Sequence, residues 1–287
     1  MKGARLCCVC VFVVASASGA WAQTRLKSSD LLKLRNVAGL QLSPDATRVA
    51  YVVDSNDGDR RPWGQLFVMT LADGKSVRFG GERDASGSPE WSPDSQWLAY
   101  RGRLGDKNGL IVAKPDGSAA RFIAEMIGTN APLPDAGRTV AWSPDSKRLA
   151  FVSSVPGPET ADATGDPIVI TRYLYKPDAA EGFSHFNDNR RLHLFVADLP
   201  SGRIEQLTTG NQYEHSIDWS PNGEELLYLT NRDADSDEFF NYDIFALKVA
   251  DKSARRLTAT ESNEYQPRWS PDGRMIAYEA TKRGLTD

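Results

Sequence analysis

One phrase recurs five times along this chain and limits what it can fold into. The copies are "LSPDATRVAYV" from Leu42, "WSPDSQWLAYR" from Trp91, "WSPDSKRLAFV" from Trp142, "WSPNGEELLYL" from Trp219 and "WSPDGRMIAYE" from Trp269. Their serines stand at Ser43, Ser92, Ser143, Ser220 and Ser270, at intervals of 49, 51, 77 and 50 residues. Repetition at such a period marks an architecture of stacked, equivalent units. Each copy reads as strand, turn, strand. Ser, Pro, Asp and Gly suit the four positions of a type I β-turn, with Pro fixing φ at the second and Ser bonding back to the backbone from the first. The segment that follows, such as Trp97-Leu98-Ala99-Tyr100 or Met275-Ile276-Ala277-Tyr278, has the residues of a pleated, half-buried strand.

Between copies lies a second apolar run and a second turn signal. Leu66 to Met69 precedes Asp73-Gly74, Leu110 to Ala113 precedes Asp116-Gly117, Leu194 to Val196 precedes Ser201-Gly202, and Ile244 to Leu247 precedes Asp251-Lys252. Three of these four dipeptides end in the glycine typical of hairpins. "RIEQLT" from Arg203 and "ARRLT" from Ala254 close their units. Four strands per unit of about 50 residues describe the blades of an all-β propeller, with TolB-like or WD-like repeats. Turn chemistry is needed in every blade, whereas a catalytic serine is needed once, so the Ser-Pro-Asp copies are read as turns. The motif tryptophans are read as packing between blades.

The ends of the sequence bear on compartment and completeness. Lys2 and Arg5, an apolar run from Leu6 to Val14 and the small-x-small "AWA" at Ala20 to Ala22 predict a secretory signal over residues 1–22. The run is shorter than the roughly 18 apolar residues that a membrane helix requires. Cys7, Cys8 and Cys10 are the chain's three cysteines, so after signal removal no disulfide and no cysteine-ligated metal is expected. Loss of Lys2 and Arg5 moves the formal charge from -4 to -6, which argues against a nucleic-acid partner. An exported, periplasmic or secreted product is expected, with no membrane contact after processing. The fifth copy starts a blade that ends with residue 287, so a propeller of about four and a half blades over residues 23–287 is expected, with self-association through the unfinished blade.

The 77-residue interval interrupts the repeat, and insertions on regular scaffolds carry function more often than the scaffold does. It holds an insert over residues 155–193: a loop rich in Pro, Gly, Asp and Thr, then "IVITRYLYK" from Ile168 to Lys176, which reads as a strand. Arg172, Tyr173 and Tyr175, with Arg191, are the candidate substrate-facing residues, and a plain loop over a blade edge is the alternative. The histidines His185, His193 and His215 have ordinary strand or loop positions and assemble no triad. No H-E-x-x-H pairing is present. Asp233, Asp235 and Asp237 alternate as calcium ligands would, yet Glu238 and Ile244 stand where a calcium loop of the EF-hand type requires Gly and Glu. A solvated loop is therefore expected there, and no cofactor is expected.

"ITRYLYKPDAAEGF" from Ile170, "RRLHLFVADLPSGRIEQLT" from Arg190, "NYDIFALKVADKSARRLT" from Asn241 and the opening "DLLKLRNVAGLQLSPDATRVAYVV" from Asp30 resemble the propeller of prolyl oligopeptidase family serine peptidases. The branch of acylaminoacyl peptidases and dipeptidyl-peptidase 5-like enzymes is the most similar. The resemblance implies a propeller that covers the active site of a following α/β-hydrolase domain and admits short peptides as substrates. The chain departs from the family in one respect. It holds no G-x-S-x-G nucleophile elbow; "GFSHF" at Gly182 to Phe186 has Phe in place of the second glycine. No catalytic residue is assigned, and the peptidase domain is expected to lie outside these residues. A TolB-like propeller that binds proteins of the cell envelope is the alternative function.

Overall fold

A computed structural model describes residues 27–55, 63–81, 84, 86–131, 133, 137–157, 187–234, 236 and 241–282. After a short 3-10 turn at Ser28–Lys33, the described residues form four antiparallel four-stranded sheets and one two-stranded sheet. The first blade contains β1 (Arg35–Leu42), β2 (Arg48–Ser55), β3 (Trp63–Thr70) and β4 (Ser76–Arg78). The second contains β5 (Gly87–Trp91), β6 (Leu98–Leu104), β7 (Lys107–Ala113) and β8 (Arg121–Ala124). The third contains β9 (Val140–Trp142), β10 (Arg148–Pro156), β11 (Arg190–Asp198) and β12 (Ile204–Gln206). The fourth contains β13 (Glu214–Trp219), β14 (Glu225–Thr230), β15 (Asp243–Lys248) and β16 (Ala254–Arg256), and the fifth sheet pairs β17 (Ser262–Trp269) with β18 (Ile276–Lys282). Each full sheet is a meander in which sequence neighbours pair, as the four-strand repeat predicts.

The turn between the first two strands of each unit is built as the Ser-Pro-Asp phrase requires. In the second blade, Ser92 Oγ donates to Asp94 Oδ1 (2.6 Å) and accepts the Trp97 N–H (2.9 Å), while the Ser95 N–H returns to the Ser92 carbonyl (2.8 Å). The same set recurs at Ser43, Ser143, Ser220 and Ser270. The residue closing each turn is left-handed: φ is 55° at Ala46, 59° at Ser95, 59° at Ser146, 71° at Gly223 and 69° at Gly273. Glycine adopts this conformation freely, and a serine does so at a cost. Ser95 and Ser146 recover part of that cost, because their hydroxyls accept the N–H of Asp45 (3.0 Å) and Asp94 (3.1 Å) in the preceding blade.

The core lies between blades and not within them. Successive residues of a strand point to opposite faces, and both faces of an inner sheet are covered: Leu98 and Tyr100 pack toward the first blade, Ala99 toward the third. Four apolar clusters fill the four junctions. The motif tryptophans key them together. The indole Nε1 of Trp91 donates to the Gln41 carbonyl (3.1 Å), that of Trp142 to Glu90 (2.9 Å) and that of Trp219 to Ala141 (3.0 Å). Each reaches the residue one place ahead of the corresponding Trp or Leu of the previous blade. The expectation of inter-blade packing therefore holds, with a directional hydrogen bond added to it. Leu42 stands in this position in the first blade and is exposed.

Because every first strand runs into its Ser-Pro-Asp turn, all five turns gather on one face of the molecule. The ends of the second strands and the starts of the third, at Ser55 and Trp63, Leu104 and Lys107, Pro156 and Arg190, and Thr230 and Asp243, lie on the other. The insert is narrower than its expected bounds. Val155, Pro156 and Arg190 to His193 belong to an unbroken ladder between β10 and β11 that ends at Pro156 opposite Arg190, so the connection begins at Gly157. Ser143 is fully buried and serves two partners, so replacing it strands the Arg148 N–H. Ser143→Ala should lower stability by about 1–3 kcal/mol, read by urea denaturation, and the same change at the less buried Ser270 should cost less.

Candidate functional site

The first strands of the blades share a central axis, and a repeated irregularity points polar groups into it. The pairing of first and second strands skips residues between Ala38 and Gln41, Gly87 and Glu90, His215 and Asp218, and Tyr265 and Arg268. Each bulge has a left-handed residue three places ahead of the Trp position: Gly39, Ser88, Ser216 and Gln266, with φ of 58°, 52°, 58° and 50°. Bulges re-aim side chains and tolerate proline within a strand, which is how Pro89 and Pro267 fit beside them. Gln41, Ser88, Glu90, Arg138, Gln266 and Arg268 line an axial cavity of about 320 Å³.

Four charges cross that axis. Arg138 Nε lies 3.3 Å from Glu90 Oε1, Arg138 Nη1 lies 3.3 Å from Asp218 Oδ1, and Arg268 Nη1 lies 3.7 Å from the same oxygen. The Trp269 N–H donates to Asp218 Oδ2 at 2.9 Å. Burial pushes the carboxyl groups of Glu90 and Asp218 upward, and the two arginines oppose this in both cases. Burial, with Arg138 alongside, pushes Arg268 downward. The cluster ties the second, third, fourth and fifth sheets together through one set of ion pairs. Such half-buried pairs add little net stability, since desolvation offsets most of their attraction, but deletion of one partner is costly.

Two further cavities adjoin this one. The larger, about 670 Å³, opens between the first and second blades and is walled by Asp54, Ser88, Arg101 and Asn108 with Gly64 and Gly109. Gly109 is required by close backbone approach, since a Cβ there would lie 2.1 Å from the Ala124 carbonyl oxygen, while a Cβ on Gly64 would meet the Val52 side chain at 2.7 Å. The other, about 340 Å³, opens between the second and third blades among Arg101, Met126, Leu133, Thr139, Val152 and Leu192. Ser88 and Thr139 line the axial cavity as well, and Arg101 lines both junction cavities.

A model of the lipoprotein LpqB β-propeller domain matches residues 9–98. The uncharacterized peptidase YuxL of Bacillus subtilis is 25% identical over 231 residues, which are 77% of this chain and 34% of YuxL. Dipeptidyl-peptidase 5 of Porphyromonas endodontalis is 25% identical over 279 residues, 88% of this chain and 38% of that enzyme. The chain is a β-propeller, and its sequence relatives include peptidases. It spans little more than a third of the length of these two. The structure of the acylaminoacyl peptidase of Pyrococcus horikoshii superposes on this propeller with a TM-score of 0.59 at 19% identity, over 82% of this chain and 34% of that one.

The propeller holds the residues singled out in the sequence in different ways. Arg172, Tyr173, Tyr175 and His185 lie outside the described residues, as do Asp235 and Asp237. Arg191 is fully buried, with its Nε on the Asn211 carbonyl (2.9 Å) and Oδ1 (2.7 Å) and its guanidinium over the Tyr213 ring. Its described contacts are internal ones. Asp233 accepts from Asn241 Nδ2 (2.7 Å). Among the described residues no group of three or more His, Cys, Asp and Glu has metal-site geometry, and no helix is long and apolar enough to cross a membrane. His193 Nδ1 meets Glu214 Oε2 at 2.6 Å, with Thr208 Oγ1 on the same carboxylate. This staple joins the third blade to the fourth, and Thr258 and Glu264 repeat half of it at the next junction.

His215 Nδ1 lies 2.9 Å from Ser216 Oγ, a serine and histidine pair that could suggest a nucleophile. Both are buried, Ser216 Oγ accepts the Gly137 N–H (2.8 Å), and His215 Nε2 has no hydrogen-bond partner, so no acid orients the ring and no substrate reaches the serine. Burial pushes the imidazole down to about 4 from its ordinary 6.5. The folded form thus binds fewer protons than the unfolded one between those values, so stability rises with pH across that window. At pH 5 the wild type should lose about 2 kcal/mol relative to pH 7 through this group, and His215→Gln should remove that part of the slope in urea titrations. Arg138→Gln should cost about 2 kcal/mol at pH 7. The folded carboxyls of Glu90 and Asp218 take up protons more readily than unfolded ones, so this deficit should shrink as pH falls toward 5.

Proposed function

We propose that this propeller is the non-catalytic, substrate-gating part of an exported serine peptidase of the prolyl oligopeptidase family, acting on short peptides of the acylaminoacyl- or dipeptidyl-peptidase type. The observation that carries this reading is the division between the two faces. One face is a uniform array of turns with their polar groups satisfied locally. The other carries the ends of the second strands, from one of which the insert departs at Gly157, and two cavities open at blade junctions. Four charged side chains span the axis between these faces, so a substrate approaching along it meets ion pairs and not an open bore. The propeller supplies a wall that selects by size and polarity, while bond cleavage belongs to a hydrolase domain with its own serine, acid and histidine. The signal-like segment at residues 1–22 supports export.

The reading is tested on the chain itself with acyl-amino-acid and dipeptide chromogenic substrates, where no turnover is expected. Hydrolysis by the purified chain would overturn it. The coding sequence past the codon for Asp287 should encode a G-x-S-x-G between a strand and a helix. A stop codon there with no such domain would favour the TolB-like binding module instead.

A further inference from the structure

Aligning the sheets on the Trp position shows two residues that depart from the repeat, Glu279 in the two-stranded fifth sheet and one within a full blade. Ten places on from Leu42, Trp142 and Trp219 stand Val52, Val152 and Leu229, all buried in the junction with the following blade. Ten places on from Trp91 stands Arg101. A long, exposed cation therefore stands, on β6, at the offset where three other blades put an apolar core residue. Among the four full blades the local rule of the fold is broken at this position, and such breaks mark function more often than chance does.

The surroundings of Arg101 show what the exception makes room for. Its Nη2 donates to the Met126 carbonyl at 3.3 Å, and no carboxylate lies within ion-pair distance of it among the described residues. The cavity it borders between the second and third blades is otherwise largely apolar, through Met126, Leu133, Val152 and Leu192. Its rim is fixed. Asp188 accepts from Thr129 Oγ1 (2.7 Å) and from the Asn130 N–H (3.1 Å), and its own N–H donates to Asn130 Oδ1 (2.8 Å). The Asp188 carboxylate is thereby engaged by its neighbours and does not neutralise Arg101.

We propose that this cavity is a binding site for a carboxylate attached to an apolar body, and that its ligand is the C-terminal residue of a peptide with an apolar side chain. The guanidinium fork pairs the carboxylate through two parallel N–H donors, and the side chain enters between Met126 and Val152. This rests on the reading of the propeller as a peptide-selecting wall and gives that wall a chemical preference.

The test measures binding of three peptides to the purified full chain by calorimetry: N-acetyl-Ala-Ala-Leu with a free carboxylate, its C-terminal amide, and N-acetyl-Asp-Ala-Leu amide. The free carboxylate should bind at least about 10-fold more tightly than either amide, as a charge-assisted bidentate pair requires. Arg101→Gln should bring it to the level of the amide. Arg101→Val restores the residue type of the other blades, so it should melt no lower than the wild type and lose the same preference. Equal binding of acid and amide, preference for the aspartyl peptide, an unchanged preference in Arg101→Val, or no binding by any peptide would each overturn the proposal. None of these results alters the turnover and coding-sequence tests, which judge the peptidase reading separately.

Discussion

The hydrogen bond from a buried tryptophan indole to the first strand of the preceding blade is the contact on which the rest of the structure depends. It fixes how far each sheet rotates and slides relative to its neighbour, because both the ring and the donor have to fit at once. Trp91, Trp142 and Trp219 make it in succession. Trp269 Nε1, in the same place in the fifth sheet, is buried with no partner. Arg148, lying over the Trp219 ring and donating to the Gly223 carbonyl, locks the junction of the third and fourth blades from the turn face. With these keys in place, apolar strands that would be aggregation-prone alone are covered on both sides.

Much of this was readable from the residues because turn chemistry is local. Ser, Pro and Asp act within five residues of one another, so the reversal at each copy and the strand that follows can be derived without knowledge of the fold. The left-handed closing residue was legible where it is Gly223 or Gly273. It was not legible at Ala46, nor at Ser95 or Ser146, where a bond to the preceding blade offsets part of the strain. The axial charges were hidden for a related reason. Glu90 and Arg138, or Asp218 and Arg268, are separated by tens of residues, and only the closing of blades around an axis brings them together. Their signal in the sequence was faint: a charged residue directly ahead of a motif tryptophan, at Glu90, Asp218 and Arg268.

The histidines show how a repeat disguises its exceptions. His193 looked like one more strand residue, and it is, but its imidazole also staples two blades through Glu214. Arg101 is an exposed arginine whose departure from the repeat shows only at a fixed offset from the Trp position. Residues of this kind are found by asking where a copy departs from its siblings, because the fold itself sets what each position would otherwise hold. The signal at Arg172, Tyr173 and Tyr175 in the insert is one of composition and local pattern alone.

The ladder between β10 and β11 stays in register up to Pro156 and Arg190, and the Gly157 N–H closes onto the Asn189 carbonyl at 2.8 Å. The two ends of the long connection are thus held side by side by bonds that do not involve its interior. Lengthening a chain between pinned ends costs only about 0.6 kcal/mol per doubling. The tip of this hairpin is therefore a port at which new sequence can be gained, lost or exchanged with almost no debt to the blades beneath it.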